Sequence, residues 1–207
     1  MIEQISKKIL LDIPYHSYER LFDIHKDSFI NTKYYANIEK RTDNKNIMAY
    51  IIRCNDYYIT NDMKRNNDYL VVIWYDANSV IKYCFGVTAD PKTRKKGIAN
   101  IIEQVYFGNI RNHWWTLGRD AICQDNCDVW VRRYTLLTDY YEEKGRFHIN
   151  IHNNAGAFNS SLGCTIFADD SEYFNHFRPL LRNCTNKNYV PVSVISEKNF
   201  LEIINSL

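Results

Sequence analysis

Two adjacent runs of apolar and aromatic residues limit what this chain can fold into more than any other feature. The first, YLVVIWYD at 69–76, has the length and the β-branched content of a buried strand. A short turn at 77–79 follows, and residues 80–87 return with the same character, which predicts a pair of strands. Further strands are predicted at 47–53, 128–134, 147–152 and 190–195. Pro191 places the last of them at a sheet edge, because proline lacks the N–H that a central strand needs.

Helical spacing marks both ends of the chain. Apolar and aromatic residues recur every three or four positions behind Pro14, at Tyr15, Tyr18, Leu21, Phe22, His25 and Phe29. Near the other end, Ser196 is placed to cap a final helix. We therefore predict an α+β protein with a helical N-terminal region at 1–45, a β-rich domain at 46–207 and a short C-terminal helix.

Composition narrows the class of function. The chain has 207 residues, 45% of them hydrophobic, which is enough for one sizeable core. Its formal net charge of +2 does not indicate a nucleic-acid-binding protein. No apolar run is long enough to span a bilayer, and the first residues lack the apolar stretch of a secretory signal. We expect a chain made in a host cytoplasm, without membrane or nucleic-acid partners.

The six cysteines are expected to be reduced, since no signal peptide directs the chain to an oxidising compartment. Cys123 and Cys127 form a C-x₃-C pair, which could begin a zinc site. No second pair of ligands follows at a usual distance. We therefore expect no metal and no cofactor.

The stretch FHINIHNNAGAFNSSLGCTIF, residues 147–167, carries the chemistry. In a strand with strict alternation, three apolar side chains share one face and His148, Asn150 and His152 share the other. A loop of small and polar residues then ends in a turn at Gly163 and Cys164. A thiol needs a base or a positive neighbour to become a thiolate, and His152 could meet it if the loop folds back. Taken singly, a cysteine or a histidine is more often structural, but the combination favours a nucleophile and its base.

These segments resemble the L,D-transpeptidase (YkuD-like) family, in particular a phage-encoded branch of uncharacterised peptidoglycan-processing proteins. The similar segments occur in the family's order over about residues 47–170: RNNDYLVVIW (65–74), TADP (88–91), AICQ (121–124), VWVRR (129–133), INIH (149–152) and SLGCT (161–165). The resemblance implies a β-rich L,D-transpeptidase-like core. It also implies that Cys164 is the nucleophile and His152 the base, with Ser161 and Gly163 shaping the turn.

Other residues have supporting roles in this interpretation. His148 and Asn150 share the strand face of the base, and Gln124 could donate to an oxyanion of the substrate. The resemblance implies that Arg133 binds a substrate carboxylate, and the equally favoured alternative is an ion pair with a buried carboxylate. The sequence departs from the family at Leu162, where the family has a histidine before glycine and cysteine.

The resemblance implies an enzyme that attacks peptidoglycan stem peptides through a thioester, as a phage lysin-like hydrolase or an L,D-transpeptidase or carboxypeptidase. It would act at the cell wall or as part of a virion, where phage virion components are possible partners. Leu162 favours the alternative, a weak or inactive virion or accessory module that keeps the fold for binding or structure. A third alternative is a cytoplasmic acyltransferase or amidase with an unrelated substrate.

Overall fold

A computed structural model of the protein describes residues 5–34, 46–54, 68–76, 78–89, 98–113, 119–124, 127–135, 139–153 and 163–207. Within these ranges lie strands in two sheets and a few short helices. Each element is given below with its bounds.

Eight strands form a closed barrel. In chain order they are β1 (Ile47–Arg53), β2 (Asp68–Asp76), β3 (Ser79–Thr88), β5 (Gln104–Asn112), β6 (Asp120–Cys123), β9 (Asn150–His152), β10 (Thr165–Phe167) and β11 (Val190–Ser196). Around the barrel the order is β1-β11-β5-β6-β9-β10-β3-β2. Most neighbours are antiparallel, but β1 pairs with β11 and β9 pairs with β10 in parallel, so the barrel is mixed.

A second sheet of three strands contributes to the same core. It contains β4 (Ala99–Ile101), β7 (Val129–Tyr134) and β8 (Tyr140–Gly145), with β7 in the middle. Ile101 and Val131 of this sheet are buried in one cluster with Ile151 and Val192 of the barrel. The second sheet therefore closes part of the barrel interior.

Helices cover the rest of the barrel. They are α1 (Lys7–Asp12), α2 (Tyr15–Ser28), α3 (Asp170–Glu172), a π-helical segment (Tyr173–Phe177), α4 (Arg178–Asn183) and α5 (Glu197–Ser206). Asp120, the first residue of β6, bonds to Arg178 and Arg182. Gln124, which follows the last residue of β6, bonds to the carbonyl of Gly145 in the second sheet. The π-helical and α4 segments and the second sheet thus lie at opposite ends of β6.

The helices α1, α2 and α5 pack on the outer surface of the barrel. Tyr18 of α2 is fully buried and donates from its hydroxyl to the carbonyl of Leu10 at 2.8 Å. Tyr50 of β1 donates in turn to the carbonyl of Tyr18 at 2.8 Å, and the two rings lie 5.2 Å apart. Burying an apolar side chain of this size stabilises the fold by roughly 2 kcal/mol. No helix of the described ranges is long and apolar enough to cross a membrane.

The predicted α+β, L,D-transpeptidase-like core with a helical N-terminal region and a short C-terminal helix is wrong as a fold class. The described chain is a closed, mixed eight-stranded barrel with a small second sheet and few short helices. The strand predictions at 47–53, 69–76 and 80–87 agree with β1, β2 and β3 within a residue or two. The error arose because β1 and β11 close the barrel across the whole chain, and such a pairing leaves no local pattern.

The edge position predicted from Pro191 is also wrong. Strand β11 lies between β1 and β5 in the closed barrel. Pro191 is nevertheless tolerated near the start of the strand, since pairing with β1 begins only at Val192 and Pro191 has a partner on one side, Phe107.

Candidate functional site

Cys164 and His152 belong to neighbouring segments of the barrel. Strands β9 and β10 pair in parallel with Thr165 opposite Ile151. Because side chains alternate along a strand, Asn150 and His152 of β9 point away from the core in which Ile151 is buried. Cys164 directly precedes the first residue of β10, and its sulfur lies beside the backbone of Asn150. Diagonal neighbours in a sheet are about 7–8 Å apart, so the backbone of the predicted nucleophile is about one diagonal step from that of the predicted base.

Backbone groups hold the thiol of Cys164. Its sulfur accepts a hydrogen bond from the N–H of Asn150 at 3.4 Å, and the thiol lies 3.5 Å from the carbonyl oxygen of His148, to which it donates. Burial raises the pKa of Cys164 above its ordinary value, and the N–H of Asn150 opposes this shift. The sulfur is therefore a thiol near neutral pH, and it needs a base to become a nucleophile.

The ring of His152 has the proton arrangement that a base requires. Its Nδ1 lies 2.6 Å from the carbonyl oxygen of Asn153, and a carbonyl can only accept, so Nδ1 carries the proton. In the neutral ring, Nε2 is then the nitrogen with the free electron pair. Burial lowers the pKa of His152 to about 4, with the positive charge of Arg119 acting in the same direction and the bond to Asn153 against it. His152 is therefore a neutral imidazole near pH 7.

A second imidazole, His113, belongs to the same cluster. Its ring stacks on that of His152, with centroids 3.9 Å apart and planes inclined by 16°. Its Nδ1 lies 2.9 Å from Nδ2 of Asn150. Burial lowers the pKa of His113 to about 3, with further contributions from His152, Arg119 and Arg111.

The sequence analysis gives His113 no part in the site. Its place in the site depends on the pairing of β5 with β6 and of β6 with β9, which brings the end of β5 over the outer face of β9. No local signal in the sequence could have linked His113 to His152.

Hydrogen bonds of Asn150 and Gln124 connect this cluster to the second sheet. Oδ1 of Asn150 accepts the backbone N–H of Gln124 at 3.1 Å. The side chain of Gln124 is fully buried and donates to the carbonyls of Cys127 and Gly145, while its oxygen accepts the N–H of Phe147. The substrate-binding role of Gln124 remains a prediction, and these contacts describe a side chain that joins β6 to the second sheet.

Gly163 meets two requirements that only glycine satisfies. Its φ of 133° lies in a region that L side chains rarely adopt. A Cβ atom added there would lie 2.6 Å from the carbonyl oxygen of Ala99 in β4. The turn predicted before Cys164 thus depends on close contact between Gly163 and the second sheet.

His148 does not lie on the strand that the sequence predicts. Strand β9 starts at Asn150, and His148 has a φ of 55°, so the alternation that placed its side chain beside His152 does not apply. The side chain is exposed. Its backbone carbonyl, rather than its ring, is what reaches Cys164.

Arg133 makes an ion pair in the second sheet. Its Nε lies 2.5 Å from Oε2 of Glu143, and its guanidinium lies 4.8 Å from the centre of the Phe147 ring. The sequence alternative was an ion pair with a buried carboxylate, whereas the Glu143 side chain is 44% exposed. The binding of a substrate carboxylate by Arg133 remains a prediction. The residue paired with Arg133 in β4 is Ala99, which contacts Gly163, so Arg133 is close to the site.

Ser161, predicted to shape the turn, and Leu162 lie outside the described residues. In the part of the chain that the structure describes, no group of three or more His, Cys, Asp or Glu side chains could hold a metal ion. All six cysteines carry free thiols.

Comparison with protein-family models finds no match for this chain, and comparison with curated proteins finds no relative. The site must therefore be interpreted from its own geometry.

Proposed function

We propose that the chain is a cysteine-dependent acyl-transfer enzyme that acts on peptidoglycan stem peptides through a thioester on Cys164. One observation carries the proposal. A neutral His152, with its free electron pair on Nε2, lies in β9 two residues after Asn150, whose backbone N–H bonds to the sulfur of Cys164. A buried thiol with a raised pKa needs such a base.

In the proposed reaction, Nε2 of His152 takes the proton of the Cys164 thiol while the sulfur attacks an amide carbonyl. The new S–C bond forms, the amide C–N bond breaks, and the imidazolium returns the proton to the leaving amine. Water then attacks the thioester, with His152 again as base, and releases a carboxylic acid and the thiol. An amine in place of water would give transpeptidation.

The substrate class is supported by the order of the six similar segments, and not by the fold, since the barrel is not the predicted core. We propose hydrolysis rather than transfer, because a phage protein has more use for cutting the wall than for cross-linking it. Action at the cell wall or within a virion belongs to the same proposal.

The test is mass spectrometry of muropeptides after incubation of peptidoglycan with the wild type, with Cys164→Ala and with Cys127→Ala. Cys127 is a suitable control because it is also a half-buried free cysteine, with its thiol bonded to the carbonyl of Phe107. We expect cleaved stem peptides with the wild type and with Cys127→Ala, and none with Cys164→Ala. Unchanged muropeptides in all three samples would reject the proposed activity.

One observation favours a second candidate, a virion or accessory module that binds without catalysis. Burial raises the pKa of Cys164, which favours an unreactive thiol. In a pull-down, the wild type and Cys164→Ala forms of such a module would retain stem peptides equally well and would leave their masses unchanged. Loss of intact stem peptides only when Cys164 is present would exclude it.

A further inference from the structure

A continuous series of contacts runs from the end of β6 to the proposed base. The backbone N–H of Gln124 bonds to Oδ1 of Asn150, and Nδ2 of Asn150 faces Nδ1 of His113. The ring of His113 then stacks on the ring of His152. The backbone N–H of Asn150 also bonds to the sulfur of Cys164, so one residue contacts both the thiol and the second imidazole.

The chemistry of each partner fixes the direction of these bonds. Oδ1 of Asn150 must be the acceptor for the Gln124 N–H, which leaves the NH₂ group of Asn150 to donate to His113. Nδ1 of His113 is therefore the unprotonated nitrogen of that ring, and its proton lies on Nε2. In His152 the bond to Asn153 gives the opposite arrangement, with the proton on Nδ1. The two stacked rings are opposite tautomers.

We propose that His113 is a positioning residue for His152: held by Asn150, its ring fixes the plane of the His152 ring and therefore the direction in which Nε2 of His152 points. The inference rests on the proposed function, in which His152 is the base. His113 itself need not touch the substrate for this role.

Burial and charge act in the same sense at both rings. Burial is the main cause of the low pKa of His113 and of His152, and the charge of Arg119, just before β6, lowers both pKa values further. Arg111 at the end of β5 and the ring of His152 also lower the pKa of His113. The thiol of Cys164, beside β9, is protonated near neutral pH and adds no charge. Both rings are therefore neutral near pH 7.

The first test needs no substrate. In protein labelled with ¹⁵N at histidine, long-range ¹H–¹⁵N spectra at pH 7 distinguish the protonated from the unprotonated ring nitrogen. We expect the proton on Nδ1 in His152 and on Nε2 in His113. The same tautomer in both rings, or the reverse assignment, would overturn the inference.

The second test follows the titration of His152 in His113→Asn, with His16→Asn as the control because His16 is exposed on α2. Asparagine keeps an acceptor for Asn150 and removes the stacked ring. We expect the titration midpoint of His152 to rise by about one pH unit, since the stacked ring that helps to bury His152 is lost. The acid limb of kcat/KM should move by the same amount, with KM changed less than about twofold. A His152 midpoint that stays in place would overturn the inference.

A third measurement decides the question if His113→Asn does not fold. Asn150→Asp has the same shape but presents an acceptor to Nδ1 of His113, so the proton of His113 should move from Nε2 to Nδ1. An unchanged His113 tautomer would overturn the inference. The NMR outcomes stand even if stem peptides are not cleaved, so failure of the inference and failure of the proposed function are distinguishable.

Discussion

Two histidine clusters are buried against the outer surface of the barrel, and they differ in their surroundings. His25 of α2 has Nδ1 2.8 Å from the hydroxyl of Ser193 in β11 and Nε2 3.4 Å from a carboxylate oxygen of Glu103. Burial alone would raise the pKa of Glu103, but hydrogen bonds from His25, Asn199 and Ser196 lower it below the ordinary value. In the second cluster, His113 and His152 stack on each other, and the charges that act on them come from arginines.

The difference shows that similar burial gives histidines different uses. A carboxylate and a hydroxyl on the two ring nitrogens tie α2 to the barrel, so His25 is a structural link. Burial, together with the charge of Arg119, keeps His152 neutral, and its bond to Asn153 leaves Nε2 as the basic nitrogen. A buried histidine in a sequence does not show which of these environments it will enter.

The largest expected contrast comes from His152→Ala and its counterpart His25→Ala. Loss of the proposed base should reduce kcat by about 10³-fold or more. His25→Ala should leave kcat per folded molecule unchanged and reduce the free energy of unfolding by about 2 kcal/mol, because Ser193 and Glu103 lose a buried partner. Urea unfolding and stem-peptide assays on both variants measure the contrast. Equal losses of activity would show that the two clusters do not differ as described.

The two clusters should also differ in how they make the free energy of unfolding depend on pH. Because the pKa of His152 falls from 6.5 to about 4 on folding, its contribution is complete above pH 6.5 and is lost as pH falls towards 4. His113 acts in the same direction with a pKa of about 3. As the pH falls from 6.5 to 4.5, the titration of each imidazole should reduce the free energy of unfolding by at most about 1.4 kcal/mol per pH unit.

Glu103 behaves differently, because its pKa is lowered from 4.5. Its contribution is present above pH 4.5 and is lost only as pH falls through the lowered value.

Urea unfolding at pH 7, 5.5 and 4.5 measures the contribution of His152. The free energy of unfolding should fall more steeply with decreasing pH in the wild type than in His152→Ala. Parallel curves for the two proteins would contradict the low pKa of His152.

Gly163→Ala tests whether the site depends on the close contact with the second sheet. A Cβ atom at Gly163 would lie 2.6 Å from the carbonyl oxygen of Ala99, and an alanine would be strained at a φ of 133°. The substitution should reduce the free energy of unfolding by about 1–3 kcal/mol. The matched control is Gly86→Ala in β3, where the added Cβ would be 3.5 Å from the Cβ of Ala168. Thermal unfolding should show a large decrease in stability for the first and a small one for the second. Equal Tm values for the two variants would contradict the role of Gly163 in positioning Cys164.

The smallest effect is expected from Arg133→Lys. Lysine keeps the charge beside Glu143 but loses the planar group that lies over Phe147, so the free energy of unfolding should fall by about 1 kcal/mol. We expect KM and kcat to change little. A rise in KM with stability unchanged would instead support the substrate-carboxylate role that the sequence resemblance implies.

The sequence located the local features and missed the pairings between them. The strands β1, β2 and β3 are predictable because each is a continuous run with β-branched and aromatic residues. The helix cap at Ser196 is confirmed, since its hydroxyl accepts the N–H of Asn199 at 3.3 Å. The barrel was not predictable because it closes through contacts between β1 and β11, far apart in the chain.

The same contrast between local patterns and long-range pairings holds for the candidate site. The roles of Cys164 and His152 come from their local pattern and remain predictions, while the parallel pairing of β9 with β10 brings their segments next to each other. His148 was misplaced because its φ of 55° ends the alternation, and neither of its neighbours, Phe147 and Ile149, is a glycine or proline that would signal the change. His113 was missed because its neighbours are brought together only by the register of β5, β6 and β9.

The most direct test of the central claim is to trap the acyl-enzyme. Wild-type protein and Cys164→Ala would be incubated with a stem peptide, quenched in acid and analysed by intact-protein mass spectrometry, with the adduct mapped by digestion. The account predicts one thioester adduct, on Cys164, in the wild type and none in the variant. An adduct on another cysteine, or stem-peptide cleavage with Cys164 replaced, would contradict it.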